Sequence, residues 1–360
     1  MKSIISYGFP GSVKDQAYRQ RRAKRPNLPT TLEEVDIYAY PDLVTTTRGK
    51  PFYRGKTKTT AVELWMSDVQ VDILTTAVSV NIDCTFGIVP IPHNQVAFVN
   101  ARVGENVYCV ATALLPNKDG KTYLELLQKI RDVCRESGKE IDLVYVHSDC
   151  ERAIINAIQA VFPTAQVRLC RFHVLDAIRK WGNLHGLRPI IKGRDDFKKF
   201  WYRLFQIFHF RPDDYPLVFR QITAQLGRET RALPLVQNFL DYVVRSWVPD
   251  RLPIRPKSCL HHPSMTTCFQ SDSGTLTNND AETYNYRMKK VLGDHPSLPK
   301  FMKAIQRENA VTEGQWLQKD RPKSSKGRRV EDRERFERRK DWEATLEEAR
   351  NGHDNNRIPD

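Results

Sequence analysis

Three acidic side chains stand in neighbourhoods where a carboxylate could do chemistry: Asp83 in NIDCTFG, Asp149 in VYVHSDCERAIINAI and Glu282 in TNNDAETYNYRMK. The first two end or follow apolar, strand-like runs, and the third lies on a helical pattern after a long intervening stretch. Separate pieces of chain that each deliver one carboxylate can converge on a pair of divalent cations. Hard oxygen ligands suit magnesium or manganese. Two such ions can clamp both oxygens of a phosphodiester during in-line displacement. Each acid alone also has a bland reading, as a strand-end or helix N-cap residue. The weight rests on the combination of two strand-end acids followed by one helical acid.

The elements that must position these acids are legible from periodicity. AVELWMSDVQVDILTTA (61–77) reads as one helix. Three strand-like runs follow at 78–86, 95–103 and 106–116, the last two joined by a two-residue turn that starts at Gly104. A helix over about 122–138, a buried strand at 141–149, a helix ended by Pro163 and a strand at 165–170 complete the pattern. The order β-β-β-α-β-α-β-α is that of the ribonuclease H fold, an antiparallel hairpin edge continued by parallel strands. Two acids at neighbouring strand ends would repel unless a cation sat between them.

Beyond residue 174 the strand signals stop, and LDAIRKWG, DDFKKFWYRLFQIFHF, DYPLVFRQITAQLG and LPLVQNFLDYVVRSWV read as amphipathic helices. The aromatic series at 200–210 is read as core before base-stacking surface. The expected organisation is a largely disordered basic segment over 1–55 and a ribonuclease H-like core over 56–175. An all-helical insertion over 176–275, the final core helices over 276–312 and a charged tail over 313–360 follow. Within the first segment, EEVDIYAYPDLV could dock as a short ordered piece.

A hydrophobic content of 40% with six Trp and sixteen Phe supplies a substantial core, and no apolar stretch approaches the roughly 20 residues needed to cross a bilayer. Seven scattered Cys are unlike a disulfide framework and suit a reducing compartment. A formal net charge of +14 favours a polyanionic partner. No Ser-His-Asp arrangement, P-loop or dinucleotide fingerprint is present. Cys170 and His173 have half the spacing of a zinc site, and Cys259, His261, His262 and Cys268 form the other cluster of ligand-type residues. Cys170 and His173 are read as structural, with His173 helping to orient the acids. Whether the second cluster binds zinc stays open at this level.

Four motifs, in order, resemble those of Mutator-like element (MULE) transposases within the DDE transposase group. DCTF (83–86) is similar to the D-G-T-F element, SDCERAIINAI (148–158) to the second-Asp element, CRFH (170–173) to the C-x-x-H signature and TNNDAETYNYRMK (277–289) to the T-N-N-x-x-E element. Cys84 stands where Gly is usual, and Asn285 where a His is expected. The resemblance covers about 60–310. It implies that Asp83, Asp149 and Glu282 hold two Mg2+ (or Mn2+) ions for DNA strand cleavage and transfer, with Asn278 and Asn279 opening the helix that bears Glu282. It further implies transposon-end and target DNA as partners, a homo-oligomer and a nuclear location. Arg21, Arg22, Lys24, Arg25, Lys289, Lys290, Lys323, Arg328 and Arg329 are the candidates for phosphate contacts. The alternative is a domesticated or degenerate transposase fragment that keeps the fold and binds DNA or a partner without turnover.

Overall fold

Alternating apolar side chains along QVAFVNARV and a near-continuous apolar run along NVYCVATALL make the centre of a sheet covered on both faces. The computed structural model describes residues 29–104, 106–249, 254, 258–268 and 279–319, with the backbone alone for 279–282. Seven strands form one sheet: β1 (Tyr53–Lys56), β2 (Glu63–Trp65), β3 (Ser79–Thr85), β4 (Gln95–Val103), β5 (Asn106–Leu115), β6 (Tyr145–Ser148) and β7 (Gln166–Leu169). Their order is β1-β2-β5-β4-β3-β6-β7. β3, β4 and β5 make an antiparallel meander, while β6 runs parallel to β3 and β7 parallel to β6. The fold is mixed α/β. The β4–β5 hairpin turns at Gly104 with φ +58°, a conformation that glycine adopts without steric cost.

Helices α1 (Asp68–Thr76), α2 (Gly120–Glu136), α3 (Arg152–Val161) and α4 (Arg171–Leu184) follow the strands in sequence. One apolar cluster joins Val80, Ile82, Ala97 and Val99 of the sheet to Leu127 and Ile130 of α2 and Ile155 and Ile158 of α3. That cluster continues without a break into α5 (Asp195–Leu204), α6 (Tyr215–Ala224) and α7 (Pro234–Ser246), through Phe197, Phe200, Phe219 and Phe239. The aromatics of 197–208 are therefore mostly interior, with Tyr202 facing outward. Gly182 on α4 lets this packing close, because a Cβ there would lie 2.9 Å from the Trp201 ring.

The opposite sheet face carries Trp65, Val96, Phe98 and Leu114 against α8 (Asn279–Leu292) and α9 (Leu298–Leu317), through Met288, Leu292, Phe301 and Ile305. Burying the Phe98 ring here is worth on the order of 2 kcal/mol in transfer energy alone.

Two expectations change. The single helix over 61–77 is a strand followed by a helix: Glu63–Trp65 pairs with β5, and α1 begins only after Ser67. The Ser67 hydroxyl accepts from the Gln70 N–H at 3.3 Å and the Gln70 amide oxygen accepts from the Ser67 N–H at 2.8 Å. That reciprocal cap fixes the helix start and frees the residues before it to extend β5. The second change concerns 29–55, expected to be largely disordered. The piece EEVDIYAYPDLV docks, as its apolar residues allowed, with Ile37 buried and the Asp42 carbonyl accepting from the Gln306 amide at 2.7 Å. The order extends beyond it, since Phe52 is buried, Tyr53–Lys56 forms β1 and the same amide donates to the Thr45 carbonyl at 2.7 Å. The apolar residues interspersed there cover Trp65 and Phe301. Residues 1–28 lie outside those described.

Candidate active site at the strand ends

β3 delivers Asp83 and β6 delivers Asp149. The parallel register pairs Ser79 with Tyr145 and Asn81 with His147. Carried two positions further, it brings Asp83 level with Asp149 at the same end of the sheet. Asp83 is buried, and the Asn285 side-chain amide on α8 donates to its Oδ2. Asp149, half-buried just beyond β6, accepts from the Glu151 N–H at 3.1 Å through Oδ1, a local turn that holds the carboxylate at the strand end. Burial pushes the thiol of Cys84 well above its ordinary value, and Asp149, Asp83 and Glu151 add to the effect. Three carboxylates thus act on one position.

Glu151 and Tyr123 are the members that motif reading passed over. The Tyr123 hydroxyl on α2 lies 3.1 Å from Glu151 Oε2 and 3.1 Å from Gln95 Oε1. Burial raises the Glu151 carboxyl, the hydroxyl of Tyr123 draws it down, and the negative charge of Asp149 raises it. The signal available in the sequence was the second acid of SDCE, two residues after Asp149. Tyr123 had none, since it reads as one more apolar residue of a helix.

Cys170 follows β7 and stands at the N-terminal boundary of α4, whose first turn carries His173. A hydrogen bond with Cys170 raises the His173 pKa, burial opposes it, and Asp149 and Asp83 push it further up. His173 therefore sits within electrostatic reach of both strand-end acids.

Glu282 lies in the first turn of α8, three residues before Asn285. Its side chain and that of Asn279 are outside the described residues, as are Asn278 and all of Arg21, Arg22, Lys24, Arg25, Lys323, Arg328 and Arg329. Lys289 pairs with Asp294 at 3.2 Å, and Lys290 lies over the Tyr286 ring at 4.4 Å. Both close α8.

The second cluster behaves differently. Cys259 donates to the His261 carbonyl at 3.0 Å, the His261 ring stacks on Trp247 at 4.6 Å, and His262 Nδ1 accepts from the Ser264 N–H at 3.3 Å as a helix cap. Cys268 meets the Thr266 carbonyl at 3.9 Å. Each side chain is occupied in local packing.

Among the described residues no group of three His, Cys, Asp or Glu is arranged to hold a metal ion. The donor set nonetheless suits a hard divalent cation: two carboxylates at the ends of adjacent strands, one of them buried and met by a neutral amide.

Residues 79–177 match the family model of the MULE transposase domain. That stretch, which runs from β3 into α4, is similar to MULE transposase domains. It contains the DCTF, SDCERAIINAI and CRFH motifs; the element around Glu282 lies beyond it. No curated protein matches the chain. Among the described residues no helix is long and apolar enough to cross a membrane.

Proposed function

We propose that this chain is the catalytic core of a DDE-type transposase, which cleaves and transfers DNA strands in a metal-dependent reaction. The observation that carries the reading is the register of β3 and β6, which brings Asp83 level with Asp149 at one sheet end. The strand run β5-β4-β3-β6-β7, an antiparallel meander continued by two parallel strands, supports a ribonuclease H-like core.

In this reading Asp83, Asp149 and Glu282 hold two Mg2+ or Mn2+ ions. Such cations neutralise the charge that builds on a phosphodiester during in-line displacement. Water attacks the phosphorus first and expels the 3′-oxygen as a DNA 3′-hydroxyl; that hydroxyl then attacks a target phosphorus and expels the target strand's own 3′-oxygen. The protein's own groups orient the carboxylates: Asn285 holds Asp83 and the Glu151 N–H holds Asp149, while His173 on α4 lies within electrostatic reach of both. A formal net charge of +14 suits a DNA partner, through counterion release from the phosphates. Pairing of two DNA ends by a homo-oligomer, and a nuclear site of action, belong to the same reading.

The test is calorimetric titration of the full chain with Mn2+, set beside Asp83→Asn, Asp149→Asn and Glu282→Gln. The expected result is binding by the wild type, loss in either Asp variant and weakening in the Glu variant, with all four proteins folded. A folded wild type that takes up no Mn2+, with or without a DNA duplex, would sink the proposal and favour a non-catalytic binding module.

A further inference from the structure

A buried carboxylate demands donors, and Asp83 receives one from across the chain, from the Asn285 amide nitrogen on α8. Because an ionised carboxylate only accepts, the amide has to present its NH2 there, which fixes the orientation of the whole group. The other end, Asn285 Oδ1, is thereby turned away; it is buried and meets no donor from the described residues. Asn285 also lies three residues after Glu282, on the same side of α8.

We infer that Asn285 is a positioning residue of the cation site: its NH2 fixes the Asp83 carboxylate and fastens α8 to β3, while its buried oxygen is a neutral ligand for the cation or its bound water. The inference rests on the metal-dependent reading above. Amide oxygens are ordinary ligands for hard cations, and neutrality matters at this position. A basic side chain would compete with the cation for Asp83, and a third carboxylate would repel it until a cation arrived. By fastening α8, the same amide would carry Glu282 toward the strand end without spending a charge on the contact.

The experiment is Mn2+ titration with thermal melts on full-length wild type, Asn285→Ala and Asn285→Asp. For Asn285→Ala we expect Mn2+ affinity to fall at least about tenfold, while the metal-free Tm drops by no more than about 4 °C. For Asn285→Asp we expect a metal-free Tm below that of the Ala variant and an Mn2+-induced rise in Tm larger than that of the wild type, because the cation relieves the new repulsion. A purely structural asparagine would lower Tm in both variants and leave the response to Mn2+ alone. Wild-type affinity in the Ala variant, or an unaltered Mn2+ shift in the Asp variant, overturns this inference and leaves the transposase reading standing. No Mn2+ binding by the wild type overturns both.

Discussion

Two regions of this molecule carry residues that bind metals in other proteins, and they differ in what the fold does with them. At the strand ends, Asp83, Asp149, Glu151 and His173 come from β3, from the loop after β6 and from α4, and they act on one another. In the 258–268 segment, Cys259, His261, His262 and Cys268 are close in sequence, yet each turns to its own backbone or ring partner. Proximity along the chain thus gathers no three ligand-type groups among the described residues. Register between β3 and β6 instead brings two acids level, because adjacent parallel strands lie about 5 Å apart and deliver equivalent residues to the same edge.

The largest effect expected from breaking this contrast is on chemistry. Asp83→Asn or Asp149→Asn should cut DNA strand cleavage by on the order of a thousandfold, since losing a cation clamp removes several kcal/mol of charge stabilisation. Single-turnover cleavage of an end-labelled duplex in Mn2+ reads this directly, and a loss below tenfold would detach the two acids from catalysis.

Next in size is a contrast in pH dependence. Burial, with Arg152 nearby, holds His261 down to about 4. Its neutral form is favoured in the fold, so its contribution is fully present above the unfolded value near 6.5 and is lost as pH falls toward 4. At pH 5 the loss is about 2 kcal/mol. Urea melts at pH 7.5 and pH 5.0 should show His261→Phe losing less than the wild type by that amount. His93 and His147, also held down to about 4 by burial, add to the same acid-side slope. His173 is raised instead, so its contribution is complete below 6.5 and fades as pH rises through its folded value. His173→Gln should therefore cost stability at pH 6 and little at pH 8.5; equal cost at both would remove His173 from the acid cluster.

A smaller effect is expected at Tyr123→Phe, which removes the hydroxyl standing between Glu151 and Gln95. The cost should be about 1 kcal/mol, read from the urea midpoint, and no shift in that midpoint would mean the contacts carry nothing. Smallest of all is a zinc chelator. A structural zinc would contribute of the order of 10 kcal/mol, so a Tm unchanged to within about 1 °C is the expected outcome for the 258–268 segment. A drop of many degrees would show that its four ligand-type residues gather after all.

Much of the fold is legible in local signals. The β3, β4 and β5 runs, the stop at Gly138, and the apolar faces of α2 and α3 all follow from periods of 2 and 3.6. The run 61–77 failed because a three-residue strand is shorter than any period can reveal, and its identity depends on β5 lying beside it. Within 29–55 the docked piece EEVDIYAYPDLV was legible, whereas Phe52 was not, because it is an isolated apolar residue whose burial depends on Trp65 and Phe301, supplied from further along the chain.

At the candidate site, residue types and motif order single out Asp83, Asp149, Cys170 and His173, because the proposed chemistry needs particular side chains in a particular chain order. The tertiary structure alone decided that Asn285 meets Asp83, that Tyr123 meets Glu151, and that the Cys259–Cys268 group stays dispersed. A sequence fixes which donors and acceptors exist and which faces turn inward. Which of them meet is settled by strand register and helix docking, and those are set by burying two sheet faces at once.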